Sequence, residues 1–319
     1  MLYAYALKGN HLQRLDGMEA LASALWIDLY SPMPAQVEAV QELGVDVPTL
    51  ADMEEIEISN RLYRDAATDV MTVVLPGLSA TKAPTAGPVT FMLSKDRLVT
   101  VRHHAPRPFE TFPDRADKSV TGCATPDRIL IGLVEEIVAR LADLLEGVGR
   151  GLDDVSMRVF GSDEPLQHEE LLAMLQRIGR EGDLMARVRL ALLTLERMLT
   201  YFGQTTTTRD EGKALRDAIK AQTRDIQALE VHADFLSSRI GLATDATLGM
   251  VNLQQNATVR ILSVVAALFL PPTLIASVYG MNFAHMPELA WPLGYPAALL
   301  LMGISSLATW MWFKWRKWL

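Results

Sequence analysis

Tyr279, Gly280, Met281 and Asn282 stand in a row, and the chemistry they offer is that of neutral oxygen. Asn282 presents a carboxamide, and Gly280 a backbone carbonyl that no Cβ obstructs. Such groups suit a strongly hydrated dication such as Mg²⁺, which gives up its water reluctantly, because amide oxygens accept hydrogen bonds from the shell without stripping it. Upstream, Asn252, Asn256, Val259, Leu262, Ala266, Leu270, Thr273 and Ser277 recur at three and four, the spacing of one helix face. Polar groups stand at both ends of this face with an apolar stretch between. Repeated around an axis, Leu262 and Leu270 would form a hydrophobic constriction, and Thr273 a hydroxyl ring. A plainer use of the same residues is a helix end, with Gly280 as terminator and Asn282 as cap. Spacing alone leaves both readings open.

The elements that hold these residues are two uncharged runs, 21 residues from Ile261 to Met281 and 25 from Leu289 to Phe313. About 20 apolar residues cross a bilayer as a helix, and backbone amides in lipid have no water to bond, so each run is expected to be helical. The pair is a hairpin with a short loop. Arg260 precedes it, Lys314, Arg316 and Lys317 follow it, and the loop has neither Lys nor Arg, which places both ends in the cytoplasm. Trp291, Trp310, Trp312, Trp315 and Trp318 fall near the span ends, as interfacial anchors do. Two helices cannot enclose water, so conduction requires several copies.

The remainder is acidic. Of 30 basic and 38 acidic residues, four basic ones and Glu288 lie in 260–319, which leaves 26 against 37, a balance of −11, for residues 1–259. Nucleic acid needs a basic footprint and is excluded as a partner; divalent cations are compatible. A single cysteine, Cys123, fits a reducing compartment. The opening residues lack the layout of a signal peptide, so the N-terminus is expected inside. No P-loop, nucleophile motif or dinucleotide-binding turn occurs; no enzyme and no organic cofactor are expected.

The expected fold is α+β. Short β-prone runs at Leu2–Leu7, Leu25–Leu29, Val70–Leu75, Val89–Leu93 and Leu98–Val101 mark an α/β domain over 1–124, with 77–87 as a flexible hairpin tip. Residues 125–208 read as antiparallel cytoplasmic helices. The segment 209–281 reads as one long stalk helix entering the membrane, since no proline occurs between Pro165 and Pro271 and seven basic and seven acidic residues intersperse over 209–260. A helix of about 70 residues spans on the order of 100 Å and needs lateral partners. Residues 282–290 form the outer loop, 291–313 the second span and 314–319 a basic cytoplasmic tail. The acidic run Asp52 to Glu57 and the pair His103-His104 read as a solvated face and as structural histidines.

Tyr279-Gly280-Met281-Asn282-Phe283, Met286-Pro287-Glu288-Leu289, two terminal spans and a basic end resemble the CorA family of magnesium and cobalt transporters. The likeness extends to Asn256, Pro271-Pro272-Thr273, Trp26-Ile27-Asp28-Leu29 and Pro48-Thr49-Leu50. It implies a funnel-shaped homopentamer in the inner membrane, a bilayer partner, a pore along the long helix, and Tyr279 to Asn282 as outer selectivity ring for hydrated Mg²⁺, with Co²⁺ or Ni²⁺ as secondary ions. It also implies closure by intracellular Mg²⁺ bound between cytoplasmic domains; Asp28, Asp69, Asp225, Asp234 and Asp245 are the acids considered for that regulatory site. The Pro-Pro pair departs from the single proline of the family and predicts a stronger kink. A zinc transporter of the ZntB type shares the turn; Glu288, an outer carboxylate ring in an oligomer, favours the magnesium branch. A non-conducting membrane anchor for a signalling domain is the alternative of another class.

Overall fold

The computed structural model describes residues 1–55, 57–161, 166–206, 213–281, 286–287 and 291–316. In chain order these form β1 (Leu2–Lys8), β2 (His11–Leu15), β3 (Trp26–Tyr30), α1 (Pro34–Gln41), α2 (Leu50–Glu54), α3 (Ile58–Arg61), β4 (Leu62–Asp65), β5 (Thr68–Leu78), β6 (Pro84–Leu93), β7 (Leu98–Arg102), α4 (Pro108–Thr111), α5 (Pro126–Gly161), α6 (His168–Thr206), α7 (Lys213–Tyr279) and α8 (Gly294–Trp315). They divide into two units, Met1–Gly161 with Met174–Thr244, and Ser162–Ala173 with Asp245–Leu319.

The first unit holds a mixed seven-stranded sheet in the order β2-β1-β3-β7-β6-β5-β4. Only β3 and β7 run parallel, with Ile27 opposite Val99 and Asp28 opposite Thr100. Five strands coincide with the β-prone runs. β2 and β4 have no such signal, because HLQRL and LYRD are polar edge strands whose partners alone define them. The expected flexible tip at 77–87 is mostly sheet: β5 and β6 pair from Asp69–Leu93 out to Leu78–Pro84, and Leu78 also bridges to Ala105.

Alternation gives the sheet two different faces. Ile27, Leu29, Val70, Met92, Val99 and Val101 form a dry core with Val40 of α1 and Met53 of α2. On the other face Trp26 stacks on Tyr5 at 4.8 Å and meets Phe112 edge-on at 5.8 Å. Beside it lies a closed polar chain. Trp26 Nε1 donates to Thr100 Oγ1 (3.1 Å), which donates to Asp28 (2.8 Å), whose carboxylate takes Arg102 Nε at 3.1 Å and Nη2 at 2.9 Å. Arg102 spends its remaining Nη1 donor on His104 O at 3.2 Å and lies over the rings of Tyr30 and Phe109.

His104 is buried and its Nε2 reaches Leu75 O at 2.8 Å, so that nitrogen carries the proton. Its ring is packed between Gly77 and Gly87, where an added Cβ would come within 2.8 and 3.0 Å of it. Burial above all, with Arg102 adding to it, holds the imidazole below the ordinary value of 6.5. As pH falls through the ordinary value the unfolded chain takes a proton that the folded ring refuses, so stability drops from about pH 6.5 downward. The thermal midpoint is expected to fall between pH 7.5 and 5.5 by less in His104→Gln, which keeps a donor for Leu75 O, than in the parent chain.

The acidic run after Thr49 is used locally. Thr49 N donates to Asp52 Oδ2 at 2.9 Å and Asp52 N to Thr49 Oγ1 at 3.3 Å, a reciprocal cap for α2. The Thr49 hydroxyl, which donates to Asp52 Oδ2 at 2.6 Å, and after it Thr49 N hold the Asp52 carboxyl below its usual range.

Candidate functional site

α7 runs unbroken through Pro271 and Pro272. Neither proline supplies an N–H, so the carbonyls of Ala267 and Leu268 lose their partners one turn back. Hydroxyls on the same helix reinforce neighbouring turns: Ser263 Oγ donates to Val259 O at 2.8 Å and Thr273 Oγ1 to Phe269 O at 2.7 Å. With its proton committed there, the Thr273 oxygen faces outward only as an acceptor.

From Ile261 to Tyr279 α7 has no charge, and among the described residues it is one of two helices long and apolar enough to cross a membrane; α8 is the other. Each carries one shielded stripe. On α7 it is Val264, 7% exposed, with Ala267, Leu268, Pro271, Pro272 and Ile275 half-buried. On α8 it is Ala298 and Phe313, with Met302, Ser305, Ser306 and Thr309 half-buried. Outside these stripes Leu274, Phe269, Leu300 and Ile304 are all more than half exposed. That much open apolar surface demands lipid or other chains.

The residues singled out on the first span lie opposite its shielded stripe. Asn252, Asn256, Val259, Leu262, Ala266, Leu270, Thr273 and Ser277 are all exposed, Leu262 and Leu270 at 69% and 68%. At 3.6 residues per turn this face is turned roughly halfway round from Val264. It is apolar in the middle and carries amides or hydroxyls at both ends.

The helix closes as the Gly-Met-Asn turn begins. Gly280 N donates to Ala276 O at 2.9 Å and Met281 N to Val278 O at 3.3 Å. Gly280 is not in the left-handed region, so the common αL use of glycine at a helix end is not what it serves. A Cβ there would stand 3.2 Å from Ala276 O. Tyr279 is half-buried and Met281 is 47% exposed. Asn282 and Glu288 lie outside the described residues. At the other end of α8, Lys314 Nζ sits 4.8 Å over the Trp310 ring and the Arg316 guanidinium 6.0 Å from that of Trp312.

The five aspartates considered for a regulatory ion are dispersed. Asp28 is held by Arg102 and Thr100 as above. Asp69 is fully buried, 3.2 Å from Arg64 Nε and 3.4 Å from the Tyr201 hydroxyl. Asp234 pairs with Arg189 at 3.0 Å, while Asp225 and Asp245 stand exposed on α7. Among the described residues no three His, Cys, Asp or Glu side chains converge on one point. The acids of α5 are also engaged within the first unit: Glu136 with Arg115, Asp153 with Arg239, Asp154 with Arg177 and Glu135 with Val120 N. Sequence reasoning did not single out Arg102 as an organiser of that unit; the available signal was its place directly after the β-prone run Leu98–Val101.

Comparison with known proteins agrees with this architecture. A full-length CorA magnesium transporter structure from Methanocaldococcus jannaschii superposes with a TM-score of 0.70 at 17% identity, covering 100% of this chain and 99% of that one. The full-length CmaX structure gives 0.66 at 16% identity, with 99% and 97% covered. In sequence, the magnesium transport protein CorA of Yersinia pseudotuberculosis is 34% identical over 322 residues and that of Escherichia coli K12 33% over 324, each over the whole of both chains. The family described as CorA-like Mg²⁺ transporter protein matches residues 22–315, and with that span of nearly the whole chain the protein belongs to the CorA family.

Proposed function

We propose that five copies of this chain assemble as a funnel-shaped channel in the inner membrane and carry hydrated Mg²⁺ into the cytoplasm, with both termini inside. The observation that carries this reading is the bare stripe on α7, polar at its ends and apolar between, turned away from the side that its own chain shields. Only a ring of copies gives that stripe water to face. In such a ring Asn256 and Val259 stand at the inner mouth. Leu262, Ala266 and Leu270 form the dewetting constriction, and Thr273 and Ser277 accept the ion's water beyond it. Tyr279, Gly280, Met281 and Asn282 then make the outer collar, and Glu288 attracts cations to it.

Full-length relatives named for magnesium transport support Mg²⁺ as the cargo. Co²⁺ and Ni²⁺, of similar charge and size, are the expected secondary ions. The acidic cytoplasmic part supports inhibition by internal Mg²⁺ between copies. Asp225 and Asp245, exposed on α7, can reach a hydrated ion directly, whereas Asp28, Asp69 and Asp234 would have to exchange an arginine for it. One chain supplies no three-acid cluster among its described residues, so such a site is shared between neighbours.

The test is ion entry into liposomes holding the purified chain, with Mg²⁺ and Zn²⁺ supplied separately and an inside-negative potential applied. Mg²⁺ entry that saturates and slows when the copies' cytoplasmic side is preloaded with Mg²⁺ is expected. Zn²⁺ entry without Mg²⁺ entry would move the chain to the zinc branch, and no entry of either would leave a membrane anchor.

A further inference from the structure

The first unit contains a cleft that the ion pathway does not use. It has a volume of about 710 Å³ and opens between the outer ends of β5 and β6, the segment after β7, α5 and α6. Its floor is apolar, built from Pro76, Leu78, Leu144 and Leu184. Four arginines from three elements stand around it, Arg107 from the segment after β7, Arg140 from α5, and Arg180 and Arg187 from α6.

The charges are unevenly satisfied. Arg187 is paired with Asp183 on its own helix at 3.2 Å, and Arg140 is a loose 3.8 Å from Asp143. Arg107 and Arg180 make no salt bridge among the described residues, and both are exposed. Of the other acids at the cleft, Glu110 is on the outside, and Glu181 is tucked against α5 where Gly151 leaves it room; a Cβ at 151 would come within 2.6 Å of its Oε1. Burial pushes the Glu181 carboxyl up, against the pull of Arg177 and Arg180.

A void of this size is far beyond a packing flaw, since protein interiors are filled to crystal density. An apolar floor with a few converging polar groups and a volume of roughly 300–1,000 Å³ is the anatomy of a small-molecule site. Guanidinium groups from different elements, two of them unspent, select planar or tetrahedral oxyanions that they can hold through paired N–H donors.

We propose that this cleft binds a multiply charged organic anion of about nucleotide size, gripped through phosphate or carboxylate groups by Arg107 and Arg180, with its less polar body on the Leu144–Leu184 floor. The ligand would tie the sheet to α5 and α6. This goes beyond transport and does not depend on it.

The experiment uses the full chain, purified in detergent in magnesium-free buffer with EDTA. Sodium ATP, sodium citrate and sodium orthophosphate are titrated by calorimetry, with the thermal midpoint followed in parallel. Saturable binding of ATP or citrate that raises the midpoint is expected. Orthophosphate, with no body to cover the floor, should bind at least about tenfold more weakly. ATP alone would identify a phosphate site, and citrate alone a carboxylate site. Arg107→Ala with Arg180→Ala, both at exposed positions, should weaken binding at least about tenfold without shifting the ligand-free midpoint. Leu184→Trp, which fills the floor and leaves every charge in place, should block binding as well. Absence of saturable binding by all three probes overturns the proposal, and so does unchanged affinity in the double arginine variant. Because the readout is binding, a chain that failed to conduct Mg²⁺ would leave the result intact.

Discussion

Asn282→Ala is expected to reduce Mg²⁺ entry by roughly 100-fold or more while leaving the assembly whole. A hydrogen bond to a charged species contributes about 1.5–3 kcal/mol, and about 1.4 kcal/mol is tenfold in rate. Losing even two such bonds between carboxamide oxygens and the ion's water shell reaches that figure. Assembly should survive because α7 and α8 keep their shielded stripes, centred on Val264 and on Ala298 with Phe313, none of which includes residue 282. The measurements are Mg²⁺ influx in liposomes beside the mass of the detergent-solubilised oligomer. Asn282→Gln, which keeps the amide on a longer arm, should recover part of the flux. Normal influx in the alanine variant would leave the collar without a role, and loss of influx together with loss of the oligomer would make residue 282 a structural cap.

The second large effect concerns folding. Arg102→Met is expected to destabilise the first unit by about 3–5 kcal/mol, because it removes one partner of a buried ion pair and leaves the other charged in a dry interior. Asp28 and Arg102 are 2% and 4% exposed, and the carboxylate takes Arg102 Nη2 at 2.9 Å. The cost should exceed that of an ordinary surface pair several-fold. Arg150→Met breaks the Arg150–Glu146 pair, in which both side chains are about 70% exposed, and is expected to change stability by only about 0–1 kcal/mol. Removing both charges, Asp28→Leu with Arg102→Met, should restore part of the loss. Denaturation of the full chain in detergent, followed by circular dichroism, compares the variants. Equal midpoints for Arg102→Met and Arg150→Met would mean that the buried pair does not hold this sheet together.

The two expectations differ in how they were reached. The single face from Asn252 to Ser277 was legible from spacing, because a lipid environment leaves the chain only helices and a helix converts intervals of three and four into one face, whereas for Tyr279 to Asn282 spacing left a helix cap and an ion collar equally open. The five apolar strands were legible as short β-prone runs bounded by turn residues, a signal that is also local, although β7 is buried on both faces. β2 and β4 were not, because polar edge segments become strands only through the neighbour that pairs with them. Nor was the continuation of α7 through Pro271 and Pro272 without a break in the helix. The expected tip at 77–87 was read from its Gly, Ser and Pro content, yet Gly77 and Gly87 are there to let two strands close over the His104 ring.

By itself, then, the sequence determined what depends on runs and periods: two membrane-length helices, one long helix leading into the first of them, and membership of a family through a five-residue signature. Tertiary structure alone decided which charges meet. Asp28 and Arg102 lie 74 positions apart and become partners because β3 and β7 pair in parallel, and the cleft with Arg107 and Arg180 exists only where four separate elements converge. Local pattern encodes the direction of a side chain, but a Coulomb partner is chosen by proximity in space, which no interval along the chain records.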